Sequence, residues 1–325
     1  MTPNLNSIVG NTTLTWTTEL PLPGTVYHSQ AIVTQNRVYL LGGYINDTPS
    51  STVYTAAINA DGTLDAWTTA SPLPATICGA QAIVTKDRVY LLGGIINGAY
   101  SSTVYTAPIQ SDGTLGTWTT ATSLPVAVAY SQALVTKNRV YLMGGVVKGG
   151  YSSVVYTAPI NADGTLGTWA RTTSLPATIA YSQALVTKDR VYLLGGIVNT
   201  VTSSTVYTAP IDPDGTLDTW TAATSLPGTV YASQAIATKD RVYLLGGINN
   251  NADSSTVYTA PIAPDGTLGT WVTATPLPST VYASQAIVTK DWVYLLGGHT
   301  GSADSSTVYK AFFGGEKGLT DLPRY

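Results

Sequence analysis

The side chains best suited to chemistry in this chain are two histidines, one cysteine and a group of tyrosines. The histidines are His28 and His299, and the cysteine is Cys78. Imidazole and phenolate groups suit a copper ion. Tyrosines also suit stacking on sugars or gripping a peptide, because each offers a large apolar area with a polar tip. Either chemistry requires distant parts of the chain to meet.

A repeat of one short unit provides the means of bringing them together. A double glycine, a tyrosine and a tryptophan recur six times, and Gly42 to Gly93 is one period of 51 residues. The double glycines begin at Gly42, Gly93, Gly144, Gly195, Gly246 and Gly297. The tryptophans are Trp16, Trp67, Trp118, Trp169, Trp220 and Trp271. A strict period near fifty residues indicates stacked copies of a unit that cannot bury its apolar face alone.

Each copy contains four β-rich runs and no helical periodicity. In the second copy these runs are 81–85, 88–92, 102–109 and 115–120, with a tight turn at Lys86-Asp87 and a hairpin turn at Asp112-Gly113. Four antiparallel strands in each of six copies predict an all-β, six-bladed β-propeller. We expect the glycines to let neighbouring backbones approach, and Tyr and Trp to fill the wedge between blades.

The two ends of the chain predict how the ring closes. An orphan fourth strand stands at about 12–19, and the last copy lacks its own fourth strand. The N-terminal strand should therefore complete blade six, which removes two exposed sheet edges. This makes residues 1–313 a single propeller and leaves 314–325 as a C-terminal tail.

The order of apolar run, Gly-Gly, Tyr and Trp resembles the kelch repeat, and the resemblance covers residues 12–313. It implies a kelch-type propeller, a fold commonly used as a binding platform. Some kelch propellers, of the galactose oxidase type, hold copper with Tyr and His ligands and a Tyr cross-linked to Cys. Tyr27, His28, Cys78, Tyr130 and His299 stand at similar loop positions here. The chain departs from that type in having six blades and no additional domains.

The turns of such blades alternate between two faces, and the copies differ on one of them. The constant face carries the Lys-Asp and Asp-Gly turns, which turn chemistry alone explains. The variable face carries the loops after the double glycines and the loops between blades, and binding usually resides in loops on a rigid scaffold. Asp253 and Asp304 lie in these loops and are interpreted as solvated. The candidate ligand-binding residues are Tyr27, His28, Tyr44, Tyr100, Tyr130, Tyr151, Tyr181, Tyr231, Tyr282 and His299.

Composition excludes several classes of function. With a net charge of -3 at pH 7, the chain has no basic footprint for nucleic acid. No stretch has the length of a membrane span, and residues 1–10 do not read as a secretory signal. A sialidase-like hydrolase needs clustered arginines and acidic catalytic groups, whereas the variable face has no arginine from the repeats. Few charges with much Thr and Tyr favour an extracellular or virion surface.

These observations predict a non-catalytic binding or adhesion module that recognises a glycan or a protein through the variable face, without cofactor, metal or catalytic residues. A structural, self-assembling surface component of a virion or filament is the alternative. A copper-dependent oxidase is the third hypothesis.

Overall fold

The computed structural model describes residues 14–312, and within that range the regular structure is entirely β. Six sheets of four antiparallel strands follow the six copies of the repeat. The innermost strands contact one another in sequence around a ring, and the strand of the first blade contacts that of the sixth. The chain is therefore a closed six-bladed propeller, as the repeat predicts.

Each blade contains four strands, which lie in order from the central axis to the outer edge. The innermost strands are Gln30–Val33, Gln81–Val84, Gln132–Val135, Gln183–Val186, Gln234–Ala237 and Gln285–Val288. The second strands are Arg37–Leu41, Arg88–Leu92, Arg139–Met143, Arg190–Leu194, Arg241–Leu245 and Trp292–Leu296. The third strands are Val53–Ala57, Val104–Pro108, Val155–Pro159, Val206–Pro210, Val257–Pro261 and Val308–Phe312. The outer strands are Thr68–Ala70, Thr119–Ala121, Ala170–Thr172, Thr221–Ala223, Val272–Thr273 and, for the sixth blade, Trp16–Thr18.

The N-terminal strand closes the ring. Trp16–Thr18 pairs antiparallel with Val308–Phe312, and Trp16 stands opposite Ala311. Leu14 is 2% exposed and packs in the same apolar cluster as Ala311. The predicted pairing of the first strand with the sixth blade is confirmed. The proposed boundary at residue 313 and the tail 314–325 lie outside the described residues.

The outer strand is shorter than the sequence predicts. The run 115–120 of the second blade was expected to be a strand, but the strand is Thr119–Ala121, preceded by a single bridge between Ile109 and Leu115. The intervening segment leaves the ladder because Trp118 packs into the cluster between the first and second blades.

Apolar clusters between adjacent blades form the core. Tyr156 and Trp169 of the third blade pack with Tyr90 and Leu92 of the second, and equivalent clusters fill the other five junctions. Tyr and Trp therefore fill the wedges as expected, since large rigid rings bury much area at each junction.

The double glycine links each blade to the next. Gly144 and Gly145 have φ of 62° and 94°, a region that L side chains rarely adopt. The Gly145 N–H donates to the Ile179 carbonyl at 2.7 Å, and a Cβ on Gly144 would lie 2.3 Å from that same oxygen. The same bond recurs around the ring from Gly43 to Ile77, Gly94 to Val128, Gly196 to Val230, Gly247 to Val281 and Gly298 to Val26.

On the variable face, the loops form small sheets that the sequence analysis did not predict. The strands before the blades are Val26–Tyr27, Ile77–Cys78, Val128–Ala129, Ile179–Ala180 and Val230–Tyr231. The strands after the double glycines are Tyr44–Ile45, Ile95–Ile96, Val146–Val147, Ile197–Val198, Ile248–Asn249 and His299–Thr300. Their hairpin partners are Thr48–Pro49, Ala99–Tyr100, Gly150–Tyr151, Val201–Thr202, Ala252–Asp253 and Ala303–Asp304. The variable loops are thus ordered hairpins.

Candidate functional site

The mouth of the central channel lies on the variable face and is lined by the start of every inner strand. Three rings of side chains surround it. The upper ring is His28, Gly79, Tyr130, Tyr181, Ala232 and Ala283. The next ring is Ser29, Ala80, Ser131, Ser182, Ser233 and Ser284, and the lowest is Gln30, Gln81, Gln132, Gln183, Gln234 and Gln285.

A closed circle of backbone hydrogen bonds holds the upper ring. The His28 N–H donates to the Ala283 carbonyl at 3.0 Å, and the His28 carbonyl accepts from Gly79 at 3.3 Å. The bonds continue through Tyr130, Tyr181 and Ala232 back to Ala283. Every member has a positive φ, which costs a non-glycine residue roughly 1–2 kcal/mol. The closed circle of hydrogen bonds fixes this backbone conformation, so the mouth is preorganised for binding.

The glutamines form a second closed circle, which sequence reasoning missed. The Gln30 Oε1 accepts from the Ala82 N–H of the next blade at 3.0 Å, while Gln30 Nε2 donates to the Ser29 carbonyl at 2.9 Å. The interblade bond recurs at all six junctions. The signal was a glutamine at the same place in every copy, preceded by serine in five of them. The side-chain amide groups of these glutamines therefore have a structural role, because their hydrogen bonds join adjacent blades.

The well below the mouth is small. Its volume is about 60 Å³, whereas sites that enclose small molecules are typically about 300–1,000 Å³. A sugar ring or a peptide therefore cannot be engulfed there and would have to lie across the mouth, on the side chains that surround it.

A crescent of aromatic rings surrounds one side of the mouth. Tyr130 and Tyr181 are stacked with ring centroids 4.4 Å apart, and Tyr27 and Tyr44 are stacked at 4.8 Å. His28 lies between the two pairs, 5.4 Å from both Tyr27 and Tyr130. These five predicted site residues come from the first, third and fourth blades, and the fold brings them together.

The crescent continues across the junction between the first and sixth blades, which we call the seam. His299 lies 4.9 Å from Tyr282 and 6.4 Å from Tyr27 between ring centroids. Tyr282 is held by a bridge to His299 in the short sheet of the sixth blade.

The remaining predicted residues lie further out. Tyr100 is 43% exposed at a hairpin end, and Tyr151 occupies the same hairpin strand one blade on. Tyr231 precedes Ala232 of the upper ring. All three are close enough to Tyr181 to raise the pKa of its phenol, after the larger effect of burial. They extend the aromatic surface outward.

Three groups of the crescent, Tyr27, His28 and Tyr130, are uncharged at neutral pH. Burial, and then nearby negative groups, raises the pKa of Tyr27 to about 12. Burial likewise raises the pKa of Tyr130 above its usual value. Burial lowers the pKa of His28 to about 4, so its imidazole is neutral. These three side chains therefore present neutral rings and hydroxyl groups.

Asp304 corrects an expectation from the sequence. It was interpreted as a solvated loop residue, but its side chain is 5% exposed and lies 3.8 Å from His299 Nε2. Burial, followed by a hydrogen bond and repulsion from Asp47, raises the pKa of Asp304 to about 6. The burial arises because hairpins of the first and sixth blades meet at the seam.

Cys78 lies beneath the crescent and is buried. The Tyr44 hydroxyl hydrogen bonds to its sulfur, while burial raises the pKa of the thiol. Within residues 14–312, no group of three or more His, Cys, Asp or Glu side chains is arranged to hold a metal ion. A copper site would therefore depend on the tyrosines, and it stays a prediction of the sequence.

A larger groove of about 470 Å³ lies on the constant face between the third and fourth blades. Turn residues line it, among them Lys137, Lys188 and Asp189. The turns of this face also join neighbouring blades. Thr136 and Tyr141 both donate to the Gly215 carbonyl of the next blade, at 2.8 and 3.1 Å, and the same pair of bonds recurs in other blades. This structural role accounts for the constancy of the face.

Comparison with known proteins supports the kelch resemblance. No family model matches the chain. The chain is 26% identical over 254 residues to Kelch-like protein terF of Aspergillus terreus, a match covering 72% of this chain and 52% of that protein. It thus spans about half the length of this curated relative. The solved structure of YjhT has a TM-score of 0.69 and 14% identity, covering 88% of this chain and 95% of that one.

With six four-stranded blades, these likenesses define the fold: the chain is a six-bladed β-propeller similar to kelch-type propellers, a fold that commonly mediates binding. Within residues 14–312, no helix is long and apolar enough to cross a membrane.

Proposed function

We propose that this propeller is a non-catalytic carbohydrate-binding module, which holds its ligand across the channel mouth. The proposal rests on two stacked tyrosine pairs, Tyr27 with Tyr44 and Tyr130 with Tyr181. They lie beside a well that is too small to enclose a sugar. Aromatic faces bind the apolar faces of sugar rings, and phenol hydroxyls supply hydrogen bonds. The preorganised mouth keeps the ordering cost of binding low.

The first test is a glycan array probed with the wild type and with Tyr130→Ala and Tyr181→Ala. We expect each variant to lose about tenfold in affinity for the bound glycans, because about 1.4 kcal/mol of stacking and burial is removed. Tyr130→Phe keeps the ring and should retain most of the binding. Phe312→Ala removes a ring that is 51% exposed and lies outside the mouth, and it should change nothing.

Equal binding by the wild type and both alanine variants would place the ligand elsewhere. Absence of signal for every glycan would refute the carbohydrate proposal.

A protein partner is the second candidate, favoured by apolar side chains at the hairpin ends. Tyr100 is 43% exposed and Val201 is 64% exposed, on the second and fourth blades. Such groups suit a partner that spans several blades. Self-assembly and an extracellular or virion location remain proposals from composition.

A further inference from the structure

The seam gathers carboxyl groups from two blades. Asp304 ends the last hairpin of the sixth blade, directly opposite His299 in the pairing register. Asp47 lies in the hairpin turn of the first blade with a φ of 62°. The Asp47 carboxyl lies close enough to Asp304 to raise the pKa of that residue, through a hydrogen bond and charge repulsion. The carboxyl pair thus bridges the two blades.

Two polar atoms in this cluster are buried without a hydrogen-bond partner. They are Asp304 Oδ2 and His299 Nδ1. A buried polar atom without a partner is costly, and native structures contain few of them. Asp47 is exposed in its turn, so a ligand can approach the two carboxyl groups from the side of Asp47. The carboxylate oxygen Asp304 Oδ2 accepts hydrogen bonds, so a donor is the group it lacks.

Aromatic rings form the walls beside these carboxyls. Tyr27 meets His299 edge-on at 83°, and Tyr282 lies 4.9 Å from His299. Burial first, and then nearby carboxylates including Asp304, raises the pKa of both tyrosines. Rings combined with carboxylates attract an organic ammonium group by cation–π and charge interactions.

The charge balance of the variable face agrees with a cationic ligand. Asp47, Asp253 and Asp304 come from three consecutive blades, the first, fifth and sixth. In the described strands and turns of this face, the basic side chains are Lys148 of the third blade and the two histidines, His28 and His299, with no arginine. His299 is the basic group beside Asp304, and the three carboxyl groups of these blades have no lysine or arginine among them.

We propose that the seam binds the ammonium group of an amino sugar, so that the saccharide held at the mouth carries a free amine. This inference rests on the proposed carbohydrate binding. The ammonium balances the negative charge of Asp304 and Asp47 and supplies a donor to the unpaired Asp304 Oδ2. The adjacent tyrosines pack against the same sugar.

The experiment is calorimetric titration at pH 7 with glucosamine oligomers, N-acetylglucosamine oligomers of equal length and neutral glucose oligomers. We expect glucosamine oligomers to bind at least about tenfold more tightly than the other two. Asp304→Asn and Asp47→Asn should each reduce this preference at least about fivefold. Asp87→Asn removes the same charge from an exposed turn of the constant face and should leave the preference unchanged.

The affinity for glucosamine oligomers is expected to depend on pH. Between pH 7 and pH 5 Asp304 becomes protonated, because its pKa of about 6 lies inside that window. Lowering the pH protonates the sugar amine more fully, which by itself would strengthen binding. A fall in the affinity for glucosamine oligomers between pH 7 and pH 5 must therefore come from the seam, and that fall is the expected result. The neutral oligomers serve as the control, since their affinity should not follow this titration.

The outcomes separate the two proposals. If glucosamine and N-acetylglucosamine oligomers bind equally, or if both asparagine variants keep the preference, the ammonium site is wrong while carbohydrate binding stands. If no saccharide binds, the proposed function fails, and the ammonium site fails with it. Asp47→Asn alters an exposed side chain, so it tests the site even if Asp304→Asn unfolds the protein.

Discussion

Gly144→Ala is expected to lower the free energy of unfolding by about 3 kcal/mol or more. Alanine at a φ of 62° costs roughly 1–2 kcal/mol. Its Cβ would also lie 2.3 Å from the Ile179 carbonyl of the next blade, and such overpacking typically costs about 1–3 kcal/mol more. The clash falls on the acceptor of the Gly145 hydrogen bond that joins the two blades. Urea denaturation followed by tryptophan fluorescence measures the loss.

Gly98→Ala is the matched control. Gly98 has a φ of 82°, and a Cβ added there meets nothing within 4 Å. In this variant only the unfavourable backbone conformation contributes, so the free energy of unfolding is expected to fall by roughly 1–2 kcal/mol. Equal losses for the two variants would show that the double glycine is needed for its φ and not for the close approach of blades.

Leu14→Ala is expected to cost about 2–5 kcal/mol, although it lies before the first strand. Leu14 is 2% exposed and packs with Leu277 and Leu295, at the junction of the fifth and sixth blades. Truncating it leaves a cavity and loosens the strand that completes the sixth blade. Denaturation monitored by circular dichroism gives the change in stability.

Leu20→Ala removes the same atoms from a side chain that is 56% exposed. It follows the same strand, and its effect should stay within about 0.5 kcal/mol. If Leu14→Ala were equally harmless, the N-terminal strand would contribute little to the closure of the ring.

The repeat made the architecture predictable because every blade must bury the same apolar residues against its neighbours. Gly-Gly, Tyr and Trp each recur six times, so the strands assigned in one copy apply to all six. The orphan strand at Trp16 then had one partner left, the third strand of the sixth blade. The extra hairpins were not predictable in this way. Their strands are two residues long, too short for an alternating pattern.

The site was predictable in its residues and less so in its contacts. Aromatic residues at loop positions pointed to the mouth, but the glutamine circle depends on amide hydrogen bonds, which leave no apolar pattern. Asp304 interacts with Asp47, which lies near the other end of the chain. A residue that looks solvated within its own repeat becomes buried when the ring closes.

Hydrogen–deuterium exchange of the propeller, with and without the saccharide that binds most tightly on the array, tests the central claim most directly. We predict slower exchange in 26–28, 44–49, 128–132 and 179–183 around the mouth, with no change in the turns at Lys137 and Lys188. Protection confined to those constant-face turns, with the mouth unchanged, would contradict the account.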